Sequence, residues 1–320
     1  MSIISLFKRL IAIVCTSVLF VSAGSVAQYS PKSDDIRLNV ALLSDVHMES
    51  NNMDCFKNFG SALKGVFSTG KELNAVVFAG DCTMNGQGTE WFDFYGMLCR
   101  FNKADNVILA FGNHDFGFSS SHEVYDKLSQ RAIDEYNSYM NKHIENVFYS
   151  EVIKGYRFIV LGTEDNYDNE TAYITDKQIE WLKGELSAAA NTGMPAFVIN
   201  HNVIYGKHGE LSNDINRISN NNGKLNDALT MCGTDVIYIS GHTRMGVTKD
   251  SVTTQGRVTY VNLPSVSQNN KKASGIYAAA TNGCIMEVYD DSIILRFRCF
   301  GSGQWLDGYE NIVIPISNEQ

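Results

Sequence analysis

Five apolar runs in this chain each stop at a polar residue able to bind a metal or carry a proton, and this pattern restricts the fold more than any other feature. Residues 36–44 end at Asp45, with His47 two positions on. Residues 75–79 end at Gly80-Asp81, 107–111 at Gly112-Asn113-His114-Asp115, 195–200 at His201, and 235–240 at Gly241-His242. Short apolar runs bounded by polar clusters read as strands buried on both faces. Between the first two, Phe56, Phe59, Leu63 and Phe67 recur at helical spacing. Helices between successive buried strands require right-handed βαβ crossovers, so an α/β protein with a largely parallel sheet core is expected.

The rest of the chain changes character. Residues 148–152 and 156–161 flank Lys154-Gly155, which predicts a hairpin. Thr175-Asp176-Lys177-Gln178 has capping-box form, with Ile179, Leu182 and Leu186 as an apolar stripe behind it. Residues 202–223, rich in Asn, Ser and Gly, predict a long loop beside His201, and such loops in compact domains are often functional. The remainder, including 258–263 and a hairpin from 285 to 300, predicts antiparallel strands. No internal repeat or linker divides residues 28–320, which read as one domain. Before them come Lys8-Arg9, an apolar run 10–21 and Ser25-Val26-Ala27, the order of a signal peptide. Residues 1–27 are therefore expected to be cleaved after Ala27, leaving a secreted or periplasmic protein. Val14 before Cys15 argues against a lipoprotein cysteine. No later stretch reaches the ~18 apolar residues of a membrane span, so none is expected after cleavage.

Charge narrows the partners. Lys and Arg number 26 against 35 Asp and Glu, a net charge of −9, and losing Lys8 and Arg9 with the leader makes the remainder more acidic still. Such a chain has no general attraction for a nucleic-acid polymer or anionic lipid. An anionic substrate would need local positive charge, usually a bound cation. Beyond Cys15 lie Cys55, Cys82, Cys99, Cys232, Cys284 and Cys299, widely spaced and without a CxxC, so disulfides and buried thiols both stay open. Open α/β sheets place their sites at strand carboxyl ends, so Asp45, His47, Asp81, Asn113, His114, His201 and His242 are expected to converge. Carboxylate, imidazole and amide without thiolate suit Mn, Fe or Zn better than Cu(I) or an iron–sulfur cluster. One such histidine alone would more often be a packed core residue. The order of all five elements, and the four specified residues after 107–111, lift the set above coincidence.

In that order the elements resemble the calcineurin-like metallophosphoesterases, over nearly all of the chain after residue 27. Asp45-Val46-His47 matches the first block of that family, Gly80-Asp81 the second, Gly112-Asn113-His114-Asp115 the third, His201 the fourth and Gly241-His242 the fifth. The segment with Gln178 and Trp181-Leu182 is similar to a helix of the family. The resemblance implies a four-layer αββα sandwich of two mixed β-sheets. It implies two divalent or trivalent ions (Mn, Fe or Zn) sharing Asp81, with Asp45 and His47 completing the first site and Asn113, His201 and His242 the second. It implies His114 as a proton donor to the leaving-group oxygen, with Asp115 a candidate orienting partner. The implied activity is hydrolysis of a small phosphate monoester or diester by direct attack of metal-activated water.

One block departs from the pattern. The family usually reads Gly-His-x-His where this chain has Gly241-His242-Thr243-Arg244. A guanidinium has no lone pair to give a metal, so the first site keeps Asp45, His47 and Asp81 and its occupancy is open. Arg244 is expected either to clamp a phosphate oxygen or to turn outward over a weakened site. The alternative is a low-activity or non-catalytic binder of phosphate ligands on the same fold. After His201 the chain runs Asn202-Val203-Ile204-Tyr205 where many relatives carry a proline, and His208 is a rival ligand. Cys82 follows Asp81 but should face the other way. His122 and His143 read as surface residues, Glu164 or Asp165 could line the site, Tyr205 could touch substrate, and Trp305 reads as packing. P-loop, HExxH, nucleophile-elbow and dinucleotide motifs are absent, and no signal marks an oligomeric state.

Overall fold

The computed structural model describes residues 36–117, 121–165, 170–208, 218, 220–268 and 275–317. The expected leader 1–27 and the centre of the 202–223 loop lie outside the described residues. The apolar runs form strands with small shifts at their ends. Strands β1 (Leu38–Leu43), β2 (Ala75–Ala79) and β3 (Asn106–Ala110) are linked by helices α1 (Met53–Val66) and α2 (Gly88–Phe101). They pair in parallel, Val40 opposite Ala75 and Ala75 opposite Asn106. Helix α3 (His122–Met140) follows, then the hairpin of β4 (Tyr149–Ile153) and β5 (Tyr156–Val160). Its two-residue turn has positive φ at both Lys154 and Gly155, the backbone hand that matches strand twist.

The chain then runs α4 (Asp176–Ala190), β6 (Ala196–Ile199), α5 (Asn222–Thr230), β7 (Val236–Ser240), β8 (Val252–Gln255) and β9 (Val258–Asn262). It ends in β10 (Asn282–Val288), β11 (Ser292–Cys299), β12 (Gln304–Trp305) and β13 (Ile312–Pro315). A 7-stranded sheet has the order β12-β11-β10-β1-β2-β3, with β13 also on β11, and a 6-stranded sheet has the order β4-β5-β6-β7-β9-β8. Both are mixed. The expectation of antiparallel strands holds for β10 and β11 but not for the segment 258–263. Strand β9 lies parallel to β7 and antiparallel only to β8, so β5, β6, β7 and β9 form a second parallel core. The apolar run of β9 does not record strand direction, which its partners decide.

Alternation along the strands sorts the layers. Along β5 and the residue after it, Phe158 and Val160 join the main core shared with the first sheet, whereas Ile159 and Leu161 pack with Ile179, Leu182 and Leu225 of α4 and α5. On the first sheet Phe78 meets Phe59 of α1 and Phe94 of α2, with ring centroids 6.0 and 5.2 Å apart. The order is helices, sheet, sheet, helices. Burying apolar surface on both sheet faces supplies the main stabilisation. Among the described residues no helix is long and apolar enough to cross a membrane, and the six cysteines from Cys55 to Cys299 are unbridged.

Two local expectations need correction. Thr175 does cap α4, accepting from Gln178 N–H at 3.2 Å, but the Gln178 side chain does not close a capping box. It donates to Gly162 C=O and accepts from Gly162 N–H, tying the exit of β5 to the helix. Trp305 is 42 % exposed, with the Arg298 guanidinium 4.7 Å over its ring, so it is a surface stacking residue and not packing.

Strand β3 is a sheet edge, and its outward backbone groups meet tyrosine hydroxyls in place of another strand. Tyr149 Oη accepts from Leu109 N–H at 3.0 Å and donates to Leu109 C=O at 2.9 Å, while Tyr136 Oη donates to Val107 C=O at 2.8 Å. Tyr149→Phe removes one oxygen and strands two buried groups. It is expected to lower unfolding free energy by about 1–3 kcal/mol per stranded group, read from urea denaturation.

Candidate metal centre

The polar residues after the parallel strands meet where the carboxyl ends of the two sheets come together. Beyond the ladder, the exits of β1 and β2 stay hydrogen-bonded: Asp45 N–H donates to Gly80 C=O at 3.0 Å and His47 N–H to Asp81 C=O at 2.9 Å. In the second sheet Gly241 N–H donates to His201 C=O at 3.0 Å. The sheets are joined by His242 N–H donating to Asp45 Oδ2 at 3.0 Å and Val266 N–H to Ser44 C=O at 3.0 Å.

Backbone strain is concentrated there. Nine described non-glycine residues have positive φ, and five of them are Asp45, His47, Asp81, His242 and Arg244. Each such conformation costs on the order of 1–3 kcal/mol and persists where surrounding contacts impose it. Asp and His tolerate it better than branched residues do, which suits these turns. Two glycines of the motifs are steric requirements. A Cβ on Gly112 would lie 2.2 Å from Asp81 Oδ1, and one on Gly241 would lie 1.8 Å from Ser44 Oγ.

Asp81 is the hub. Its Oδ1 accepts from His114 N–H at 3.0 Å. Its Oδ2 lies 3.5 Å from His47 Nε2 and 3.1 Å from His201 Nε2. His47 Nε2 is also 3.5 Å from Asp45 Oδ1, and His242 Nδ1 is 3.0 Å from His201 Nε2. Two sets of ligand-capable atoms, on Asp81, His201 and His242 and on His47, Asp81 and His114, each lie within 4.8 Å of one another. Backbone carbonyls orient two of the rings. His201 Nδ1 sits 2.7 Å from Ala79 C=O and His114 Nδ1 2.8 Å from Met84 C=O. A carbonyl can only accept, so both rings carry a proton at Nδ1, which leaves Nε2 as the atom that could ligate a metal.

The donor set fits bound cations. Asp45 Oδ1, His47 Nε2, His242 Nε2 and both amide atoms of Asn113 are buried without a hydrogen-bond partner, although native proteins rarely leave buried polar atoms unpaired. Facing nitrogens 3.0 Å apart on His201 and His242 cannot both be protonated. Burial disfavours charge on His201, but the Asp81 carboxylate outweighs it and lifts the ring to about 9. Burial and the charge on His201 push His242 down to about 3. Burial opposes ionisation of Asp81, yet the imidazoles of His201, His47 and His114 hold it well below the usual carboxylate range. A proton held among these groups occupies the electrostatic position that a metal ion would take.

Residues 38–244 match the family model of the calcineurin-like phosphoesterases. The chain belongs to that family. Its fold is similar to that of a dimetal phosphatase from zebrafish (Danio rerio), at 14% identity and a TM-score of 0.61, over 88% of this chain and 100% of the other. It is equally similar to a purple acid phosphatase from yellow lupin (Lupinus luteus) seeds, at 14% identity and a TM-score of 0.61, over 89% of this chain but only 55% of the lupin chain. At such identity the likeness is one of fold. No curated protein matched in sequence.

The remaining candidates in this member of the family separate. Asp115 does not orient His114. Its carboxylate accepts from the N–H groups of Thr83 (2.8 Å), Gly112 (2.9 Å) and Cys82 (3.3 Å) and from Thr83 Oγ1 (2.8 Å), so it lashes the exits of β2 and β3 together. Burial and the charge of Asp81 raise its pKa to about 6 in spite of those bonds. His208 is buried on the other side of the second sheet, against the ring of Tyr260, and joins neither ligand set. Glu164 accepts from Thr175 and Gln178 at the start of α4, and Asp165 pairs with exposed His122 at 3.1 Å. Cys82 is buried, its thiol raised well above the usual range by burial and nearby carboxylates. Tyr205 is 47% exposed.

Several supporting residues escaped the sequence reading. Ser44 Oγ donates to Asp45 Oδ2 at 2.6 Å, and Asn262 Nδ2 donates to Gly241 C=O at 2.7 Å while its Oδ1 accepts from Thr243 Oγ1. Ser44 adjoins a motif and could have been suspected. Asn262 ends a strand with no motif, and only the pairing of β9 with β7 brings it near. If cations relieve the unpaired donors, metal-loaded protein should melt above chelator-treated protein. At about 100 times the dissociation constant each site adds about 2.7 kcal/mol, and Asp81→Asn should remove most of the shift in calorimetry.

Proposed function

We propose that this protein is a metal-dependent hydrolase of small phosphate esters. The observation that carries the reading is the shared carboxylate of Asp81, ringed by buried donors that lack protein partners. Family membership points the same way. Asp45, His47 and Asp81 would hold one cation, and Asp81, Asn113, His201 and His242 the other. Those cations would supply the positive charge that an acidic protein lacks, holding phosphoryl oxygens and acidifying a water.

The chain's own residues do the rest. In hydrolysis the ester P–O bond breaks as the oxygen of water bonds to phosphorus. One proton of the water ends on the departing alcohol and the other stays with the phosphate. His114 would exchange the proton at the leaving oxygen. Burial lowers its pKa, although the charge of Asp81 opposes this. A bound phosphate adds negative charge beside the ring, which favours the imidazolium and makes Nε2 a donor. Asp115 positions the strand exits and not the ring.

The proposed location is outside the cytoplasm, from the signal-like order of residues 8–27, and N-terminal sequencing of exported protein should start at Gln28. The activity test uses Mn- or Zn-loaded protein with a generic phosphomonoester and phosphodiester. Asp81→Ala should lose metal and turnover together. His114→Ala should keep metal and lose about 10²–10⁴ in kcat. Metal-loaded protein that binds inorganic phosphate and turns over neither ester would instead support a phosphate-binding member of the family.

A further inference from the structure

Arg244 is a cation with no ion-pair partner among the described residues. Among the described residues, Arg37, Arg157, Arg257 and Arg296 each pair with a carboxylate. Arg131 donates to Gly86 C=O, and Arg100 and Arg298 lie over aromatic rings. Arg244 makes no hydrogen bond or ion pair to any described residue. It is half-buried, two residues after His242, in a turn with positive φ at both His242 and Arg244. Thr243 N–H donates to Gly241 C=O at 2.7 Å, and the Thr243 hydroxyl donates to Asn262. The turn is therefore held at Gly241 and Thr243. The charge of Arg244 is felt at His242 and also at His114, which sits on the exit of β3 in the other sheet. The backbone thus carries this cation within one short turn of His242, whose N–H is bound to Asp45.

Resting on the phosphoesterase reading, we infer that Arg244 makes this a phosphomonoesterase, by engaging the third nonbridging oxygen that a monoester has and a diester lacks. Two cations at a shared carboxylate would supply positive charge to two phosphoryl oxygens. A diester has only those two, and the two ester substituents fill the other positions at phosphorus. A monoester presents a third oxygen and, near neutral pH, a second negative charge. A guanidinium supplies both the charge and a donor fork for that oxygen. The same substitution that denies the first metal an imidazole thus adds a fixed positive charge for the more highly charged substrate. The charge is part of the chain, so it persists whichever metal is bound.

The experiment compares Mn-loaded wild type with Arg244→Met and Arg244→Lys, using para-nitrophenyl phosphate and bis-para-nitrophenyl phosphate. Metal content of each variant is measured beside the kinetics. Arg244→Met should lose roughly 10- to 100-fold in kcat/KM for the monoester and much less for the diester, at unchanged metal content. Arg244→Lys keeps the charge without the fork and should fall between. Calorimetric titration gives a readout free of turnover: Arg244→Met should weaken inorganic phosphate and leave dimethyl phosphate unaffected. Parallel losses for the two esters, or no loss for either, overturn the inference. So does undiminished phosphate binding by Arg244→Met. A wild type that turns over neither ester defeats the hydrolase reading instead, and the two titrations still judge the role of Arg244.

Discussion

One buried carboxylate organises this molecule's functional edge. Asp81 sits in a left-handed turn after β2, with one oxygen fixed by the His114 N–H and the other directed at His47 and His201. A lone carboxylate buried this deeply would normally take up a proton. Here the surrounding imidazoles hold it ionised, and the remaining unpaired donors leave the cluster electrostatically incomplete. Hydrogen bonds within the protein do not complete it, because Asp45 Oδ1, His47 Nε2, His242 Nε2 and the amide of Asn113 have no partner among the described residues. A cation meets all of these demands together, which is why burial and family membership lead to the same chemistry.

The fold serves to hold that edge against its own strain. Left-handed residues at Asp45, His47, Asp81 and His242 are costly, and each is pinned by bonds from a different strand exit. Asp115 binds the turns of β2 and β3, Ser44 and the His242 N–H fix Asp45 Oδ2, and Asn262 holds the turn that carries Arg244. The two sheets thereby act as rigid jaws whose carboxyl ends are laced together. Rigidity there keeps the donors aimed at common points and not at each other.

Much of this was readable in the residues, and the failures have physical causes. The apolar runs marked strands because a strand buried on both faces needs no alternation, but the same property hid the direction of β9. Gln178 matched a capping pattern that local sequence favours, yet a buried glutamine amide gains more by closing the unpaired backbone of Gly162 than by returning to its own helix. Asp115 stood next to His114 and looked like its partner, but consecutive residues in a tight 3₁₀ turn point apart. Trp305 read as packing because tryptophan usually is, and a short edge strand left it outside.

What the sequence determined by itself was the chemistry on offer: which residues end the buried strands, in what order, and that Arg244 stands where an imidazole is usual. Order along the chain is preserved in folding, so a motif order survives as a set of strand ends. Only the tertiary structure decided which of those ends meet, which oxygen of Asp81 faces which ring, and which polar atoms remain without partners. These are distances between residues far apart in sequence, set by how two sheets pack, and no local pattern encodes them.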